Sequence, residues 1–272
     1  MAGMGRPMQT LQLPGRGSAQ ILTRRLRPFR KTLKQVVRGP YWQTPPSPAL
    51  QHEALVLLRD AGVRVIEVED IQPNVLKAAG YRQIMTPSSV GSLTLGHGPD
   101  VRRNLMSIKW RNALRKAQAS DLRLEIRPYN HGVDKWILDE DRKQQARKGY
   151  RGLPPEVTQA FAIMNQDQAT IVTAAKHAVP IAAMVFLRHG TAATYHIGWS
   201  SAEGRAHNAH NLCLASAADH FEAQGTHVID LGCIDTDAAP GLARFKIGAG
   251  AQVKQLGGKW LHLRCFKRRG SV

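Results

Sequence analysis

The stretch SSAEGRAHNAHN, from Ser200 to Asn211, combines the residue types and the spacing needed to hold an anion. A helix pattern begins directly behind it, and the free N–H groups and positive dipole end of a helix start favour negative charge. Gly204 allows close backbone approach, Arg205 supplies a cation, and Ser201, Asn208 and Asn211 belong to the same cofactor-binding candidate set. A pyrophosphate or a nucleic-acid phosphate suits such a site; a capped surface turn fits the pattern as well. A second candidate is PDVRRNLMSIKWRNALRKAQASDLRLEI, where Asp100 can cap one helix with Val101, Leu105 and Ile108 facing inward. Arg102, Lys109 and Lys116 fall on one side of it, Arg111 and Arg115 add charge, and Trp110 sits in the middle. A basic helix with an embedded aromatic can meet phosphates or a nucleobase, and a solvated face with one half-buried tryptophan is the alternative. His207 and His210 are three apart, but no third ligand accompanies them, so no metal site is expected.

The elements that must position these residues follow from periodicity. TIVTAA, IAAMVFLR and ATYHIGW read as a three-stranded antiparallel meander, the last two joined through His189-Gly190. Leu214, Ala217, Ala218 and Phe221 at i, i+3, i+4 and i+7 make a helix that packs on the sheet and stops at Gly225, and VIDLGCI is a buried strand. Upstream, Ser47-Pro48 starts a helix running to Gly62, and VRVIEV, YRQIM and SLTL are strands. LRLEIRPY is a further strand, and the helix from Val133 ends at Gly149. Residues 1–40 show no sustained period, and Pro28 interrupts a short basic amphipathic pattern, so a flexible basic arm is expected there.

The chain has 272 residues, 43% of them hydrophobic, enough for a substantial core. No apolar run is long enough to span a membrane and the N-terminus lacks the apolar segment of a secretion signal, so a cytoplasmic location is expected. Cys213, Cys233 and Cys265 are odd in number and lack CxxC spacing, which reads as reduced core residues. The net charge of +18 is segregated: residues 1–40 hold nine Arg or Lys and no acid, 241–272 hold eight and no acid, and 152–240 hold three against eight acids. That separation suits a polyanionic partner, whether nucleic acid, an anionic membrane surface or a phosphate-rich ligand; arginine-rich solvated surface is the competing explanation.

Taken together, WSSAEGRAHNAHN, DLGCIDTDAAPGLARFKIGAG and KWRNALRKA resemble acyltransferases of the GNAT superfamily, in the FemAB-like branch related to the Fem peptidoglycan-bridge aminoacyltransferases. The resemblance covers roughly Tyr41 to Leu261. It implies an α/β GNAT-like acyltransferase fold of two tandem GNAT-like halves: a basic arm over 1–40, a first half over 41–128 shortened at its N-terminus, and an acyltransferase core over 129–272. It implies transfer of an acyl or aminoacyl group to an amine, and it matches the fourth strand, phosphate loop, third helix and fifth strand of that fold to Ala192–Ile197, Ser200–Asn208, Asn208–Gln224 and Val228–Ile234. It carries Lys109, Trp110, Arg111, Asn112 and Arg115 as substrate-binding residues and Lys246 of FKIG as the group that stabilises developing negative charge. Chemistry of this kind mainly holds amine and carbonyl together and needs a base for the attacking ammonium; Asp235, Asp237 and His196 are the candidates, with turn-cap and strand-structural roles as alternatives.

Three readings stand. The first is an N-acyltransferase, such as an N-acetyltransferase, taking its group from an acyl-CoA donor and passing it to a small-molecule amine or peptide. The second takes an aminoacyl group from transfer RNA, though the chain lacks the heptad-patterned arm of some Fem enzymes that meet tRNA. The third is a non-catalytic binder of nucleic acid or an anionic surface, against which the intact FKIG and GR motifs argue.

Overall fold

The computed structural model describes residues 8–26, 31–150 and 152–263. Cys265 and the first seven residues of the expected arm lie outside them. In chain order the elements begin with β1 (Met8–Leu13), β2 (Gly17–Leu26), β3 (Lys31–Val36), β4 (Tyr41–Trp42), α1 (Pro48–Asp60), β5 (Val63–Val68), α2 (Pro73–Ala78) and β6 (Arg82–Met85). There follow β7 (Ser89–Thr94), α3 (Pro99–Leu105), α4 (Ile108–Gln118), β8 (Arg123–Pro128), α5 (His131–Lys148), α6 (Pro155–Met164), β9 (Ala169–Lys176), β10 (Val179–His189) and β11 (Ala192–Ser200). The chain closes with α7 (Ala202–Ala206), α8 (Ala209–Ala223), β12 (Val228–Ile234), α9 (Pro240–Gly248), β13 (Gln252–Gln255) and β14 (Gly258–Leu261). They form two compact units, one of residues 1–88 with 255–272 and one of 89–254.

The sheet of the first unit runs β1-β2-β3-β5-β14-β6, with β4 on β2. Helix α1 starts where Ser47 Oγ accepts from Leu50 N and Pro48 fills the first turn, and it buries Gln51, Ala54, Leu55 and Leu58 at helical spacing. These meet Ile21, Val36, Ile66 and Trp260 in one core. Residues 8–13, 17–26 and 31–36 are therefore strands, which corrects the expected flexible arm. The reason is pairing rather than local preference: β1 lies antiparallel on β2 from Met8↔Leu22 to Leu13↔Gly17, and the apolar Ala19 and Ile21 are buried with the exposed Gln20 between them.

The sheet of the second unit runs β13-β7-β12-β11-β10-β9-β8. The expected meander is present as β9-β10-β11, turning through His177 and Ala178 with φ of 49° and 65°. Alternation along β10 sends Met184 and Phe186 to one face, against Leu214, Ala217 and Phe221 of α8, and Ala183, Val185 and Leu187 to the other, against Ile137 and Leu138 of α5. Phe186 and Phe221 are fully buried in an edge-on contact at 5.3 Å, worth about 1.5–3 kcal/mol each in burial. Residues 89–128, expected with the first half, belong to this unit.

The single helix expected from Asp100 is two. Met106 is extended at ψ 144°, and Ser107 caps α4 by accepting from Trp110 N at 3.3 Å. Arg102, expected on an exposed basic side, is 6% exposed and pairs with both Glu222 and Asp219. Glu222 also accepts from Gly96 N at 2.5 Å and Gly98 N at 2.9 Å, and the Arg102 contact leads in lowering its pKa to about 2. Of the cysteines, Cys213 is buried and unpaired, with burial pushing its thiol up to about 12, whereas Cys233 is exposed. A register shift between Asp230 and Gly232, with Gly232 at φ 73°, precedes Cys233 on β12.

Candidate active site

Strands β11 and β12 run parallel and are paired from Ala192↔Val228 to Thr194↔Asp230 only, although β11 continues to Ser200 and β12 to Ile234. Each stays bonded to its outer neighbour, β10 and β7, so the sheet opens between them. A bulge accompanies the opening: Phe186 faces Tyr195 and Val185 faces Ile197, which leaves His196 as the extra residue. The two parallel strands of the first unit behave differently. Past Val36↔Ile66 the register continues with Gly39 N donating to Glu67 O at 3.1 Å, so that sheet stays closed.

The expected phosphate loop sits at the mouth of this opening. Ser201 N donates to Ile181 O at 2.9 Å, Ser201 Oγ accepts from Gly204 N at 3.0 Å, and the short turn of α7 lies flat on β10. Gly204 is required there, because a Cβ would stand 2.2 Å from Ile181 O and 2.5 Å from Ser200 Oγ. Arg205 donates from Nη1 to Ser200 O at 2.7 Å while remaining exposed. Asn208 is left-handed at φ 53°, which turns the chain into α8, and its side chain makes no cap. Asn211 is 9% exposed in the first turn. The two histidines are engaged elsewhere: His207 Nε2 lies 2.9 Å from Lys176 Nζ, which also pairs with Glu203 at 3.1 Å, and His210 Nε2 donates to Trp199 O at 2.7 Å. Among the described residues no cluster of three or more His, Cys, Asp or Glu is arranged to hold a metal ion.

Lys246 is 5% exposed on α9 and donates from Nζ to Cys233 O at 2.8 Å, on the part of β12 that has parted from β11. Burial lowers its pKa. His196 lies with Nε2 2.6 Å from Thr158 Oγ1, and burial holds it below the usual imidazole range. Asp235 Oδ1 accepts from Asp237 N at 3.0 Å and Ala238 N at 2.7 Å, so Asp235 caps the turn after β12.

The KWRN segment divides. Lys109, Asn112 and Arg115 are exposed and Arg111 half-buried on α4, with Arg115 Nη1 donating to Asn112 Oδ1 at 3.3 Å. Trp110 is 5% exposed, packed 5.9 Å from Phe245, and its Nε1 has no partner. It is a core residue, since the face of α4 carrying Trp110, Leu114 and Ala117 is the one turned to α8 and α9.

The sequence did not single out what borders β11 on its other face. Gln144 Nε2 reaches Tyr150 Oη at 3.0 Å and Gly198 O at 3.4 Å, Tyr150 donates to Asp141 Oδ1 at 3.3 Å, and Trp199 Nε1 donates to Glu140 Oε2 at 3.0 Å. These acids stand on a helix whose mixed charges read as solvated. Glu140, Asp141 and Gln144 at i, i+1 and i+4 were the available signal.

A parallel pair that opens beside a glycine-tightened helix start, with a buried lysine bonded to the parted strand, is the frame of an acyltransferase. The family model described as the acetyltransferase (GNAT) domain matches residues 105–246, over half of the chain, and the protein belongs to that family. No curated protein sequence matches the chain. Among solved structures, FemX is similar over 96% of this chain and 89% of its own, at 14% identity and a TM-score of 0.76. The L-PGS of Bacillus licheniformis is similar over 95% and 85%, at 11% identity and 0.59. A tandem GNAT protein from the clavulanic acid biosynthesis pathway is similar over 90% and 78%, at 12% identity and 0.51. At these identities the likeness is one of fold: two tandem GNAT-like halves.

Proposed function

We propose that the protein moves an acyl group from an acyl-thioester of the coenzyme A type to an amine on a small molecule or peptide. The opening between β11 and β12 carries this reading, because it leaves an unpaired strand edge leading to the helix start of α8. The residues fit an extended donor with a phosphate end: a strand edge can hydrogen-bond a chain laid along it, and backbone N–H groups with Arg205 suit the pyrophosphate. Gly204, Ser201, Asn208 and Asn211 shape that corner.

Lys246 would act as a fixed positive charge near the developing oxyanion, without rearranging when charge appears. Of the base candidates, Asp235 already spends an oxygen on its turn, whereas His196 is held neutral, the state that accepts a proton. We assign His196 that role. The exposed Lys109, Arg111, Asn112 and Arg115 would meet an anionic part of the acceptor. The Fem-like motifs and the segregated positive charge favour a second reading, an aminoacyl-tRNA donor.

The test is calorimetric titration of the whole chain with coenzyme A and with aminoacyl-tRNA, followed by thiol release from acetyl-CoA against a panel of amines. Saturable binding of coenzyme A that Arg205→Glu weakens at least tenfold supports the first reading. Binding of charged tRNA alone supports the second. Binding of neither donor refutes both.

A further inference from the structure

A second surface on the same unit is built for something other than a soluble substrate. The break between α3 and α4 leaves Leu105 58% and Ile108 69% exposed. Ser107 N donates to Gly248 O at 2.9 Å, so Ile108 and Ile247, which is 44% exposed, flank one hydrogen bond. The chain after α9 closes against the same corner, where a Cβ on Gly250 would stand 3.0 Å from Leu105 Cβ. Three large aliphatic side chains from two segments therefore share one exposed patch, beyond the scattered apolar exposure of an ordinary surface.

The two chain segments that carry the patch are basic. Residues 101–120 contain six Arg or Lys and no acid, and 238–254 contain three and no acid. Arg102 and Lys246 are buried, but Arg103, Lys109 and Arg244 are exposed, each within three residues of a patch member. Arg244 sits one helical turn before Ile247 on α9.

We propose that the α3–α4 corner and the end of α9 seat the protein on an anionic phospholipid surface, with Leu105, Ile108 and Ile247 entering the headgroup layer and Arg103 and Arg244 meeting lipid phosphates. Apolar residues rimmed by cations match that interface. Nucleic acid fits less well. It shares the phosphate chemistry but offers nothing to three aliphatic side chains, and the tryptophan of α4 that could stack on a base is buried in the core. No helix among the described residues is long and apolar enough to cross a membrane. This inference goes beyond acyl transfer and does not depend on it.

The experiment is co-sedimentation of the whole chain with phosphatidylcholine vesicles, with and without phosphatidylglycerol, and with an oligouridylate as competitor. Binding is expected only with phosphatidylglycerol, weakened at least tenfold both by Leu105→Ser with Ile108→Ser and by Arg103→Glu alone. The substituted side chains are exposed, and a circular dichroism melt of each variant verifies its fold. Equal binding by the folded aliphatic variant, or no binding to anionic vesicles, overturns the proposal. So does RNA binding that displaces the vesicles and ignores the aliphatic substitutions. Since no donor or acceptor is present, failure here leaves the acyl-transfer reading standing, and failure of that reading leaves this one testable.

Discussion

Gly204→Ala probes the seat of the donor loop with a single methyl group. Its Cβ would stand 2.2 Å from Ile181 O, 2.5 Å from Ser200 Oγ and 2.9 Å from Ile181 C, about 1 Å short of ordinary contact. Two of these atoms are backbone of the central strand β10, so α7 must lift by about that distance. Lifting stretches the 2.9 Å bond from Ser201 N to Ile181 O beyond hydrogen-bonding range, at about 1 kcal/mol, and overpacking adds about 1–3 kcal/mol. The expected loss is about 2–4 kcal/mol, read by urea unfolding. Coenzyme A affinity should fall at least tenfold in calorimetry, because Arg205 moves with α7. Gly241→Ala is the control: nothing lies within 4 Å of its Cβ in α9, and the exchange should be neutral or stabilise by up to about 1 kcal/mol. Parent-like stability and affinity in Gly204→Ala would refute the packing of α7 on β10 and the role given to the loop.

Lys246→Ala should lower turnover at least tenfold with a stability cost of about 1 kcal/mol for the bond to Cys233 O; unchanged turnover in a steady-state assay would remove Lys246 from the mechanism. Glu222→Ala should destabilise by about 3 kcal/mol in urea unfolding, since it leaves the buried Arg102 with only the exposed Asp219, and a loss under about 0.5 kcal/mol would contradict the ion-pair assignment. His196 and His210 are both held below the usual imidazole range, by burial first. Their unfolded forms bind protons more readily, so their contribution is full above about pH 6.5 and is lost as pH falls; a melting temperature that does not drop between neutral and acidic pH would disprove this. Trp260→Ala should cost about 3–5 kcal/mol, read as early urea unfolding of the first unit, because this 1% exposed side chain fills its core.

Much of the fold was legible because its signals are local. The cap at Ser47, the glycines closing α5 and α8, and the alternation of β9 to β11 each lie within a few residues of the element they define. What stayed hidden depends on partners far along the chain. Arg102 reads as a surface cation until Glu222, 120 residues later, is known to meet it. Strands β1 to β3 mix apolar with polar and basic residues without a clean period, and only their pairing shows which side is buried. The loop residues of the candidate site could be singled out because glycine and arginine beside a helix start have a local meaning. The bulge at His196 escaped notice because it is a count of residues against β10, and the burial of Trp110 because an indole suits a core as well as a ligand.

In both sheets the second strand from one edge breaks chain order. Strand β7 follows β6 in sequence but lies between β13 and β12 in the other sheet, and β14 follows β13 but lies between β5 and β6. The second unit is nonetheless one continuous run of residues 89–254, whereas the first receives β14 from beyond it. During synthesis the unit made first would be the one completed last, its β6 left without its sheet partner until Gly258–Leu261 emerges. A cut between residues 88 and 89, the obvious place to separate the units, would deprive the N-terminal fragment of its penultimate strand. A fusion, truncation or split-reporter design must therefore keep Gly258–Leu261 on the polypeptide that carries the first unit.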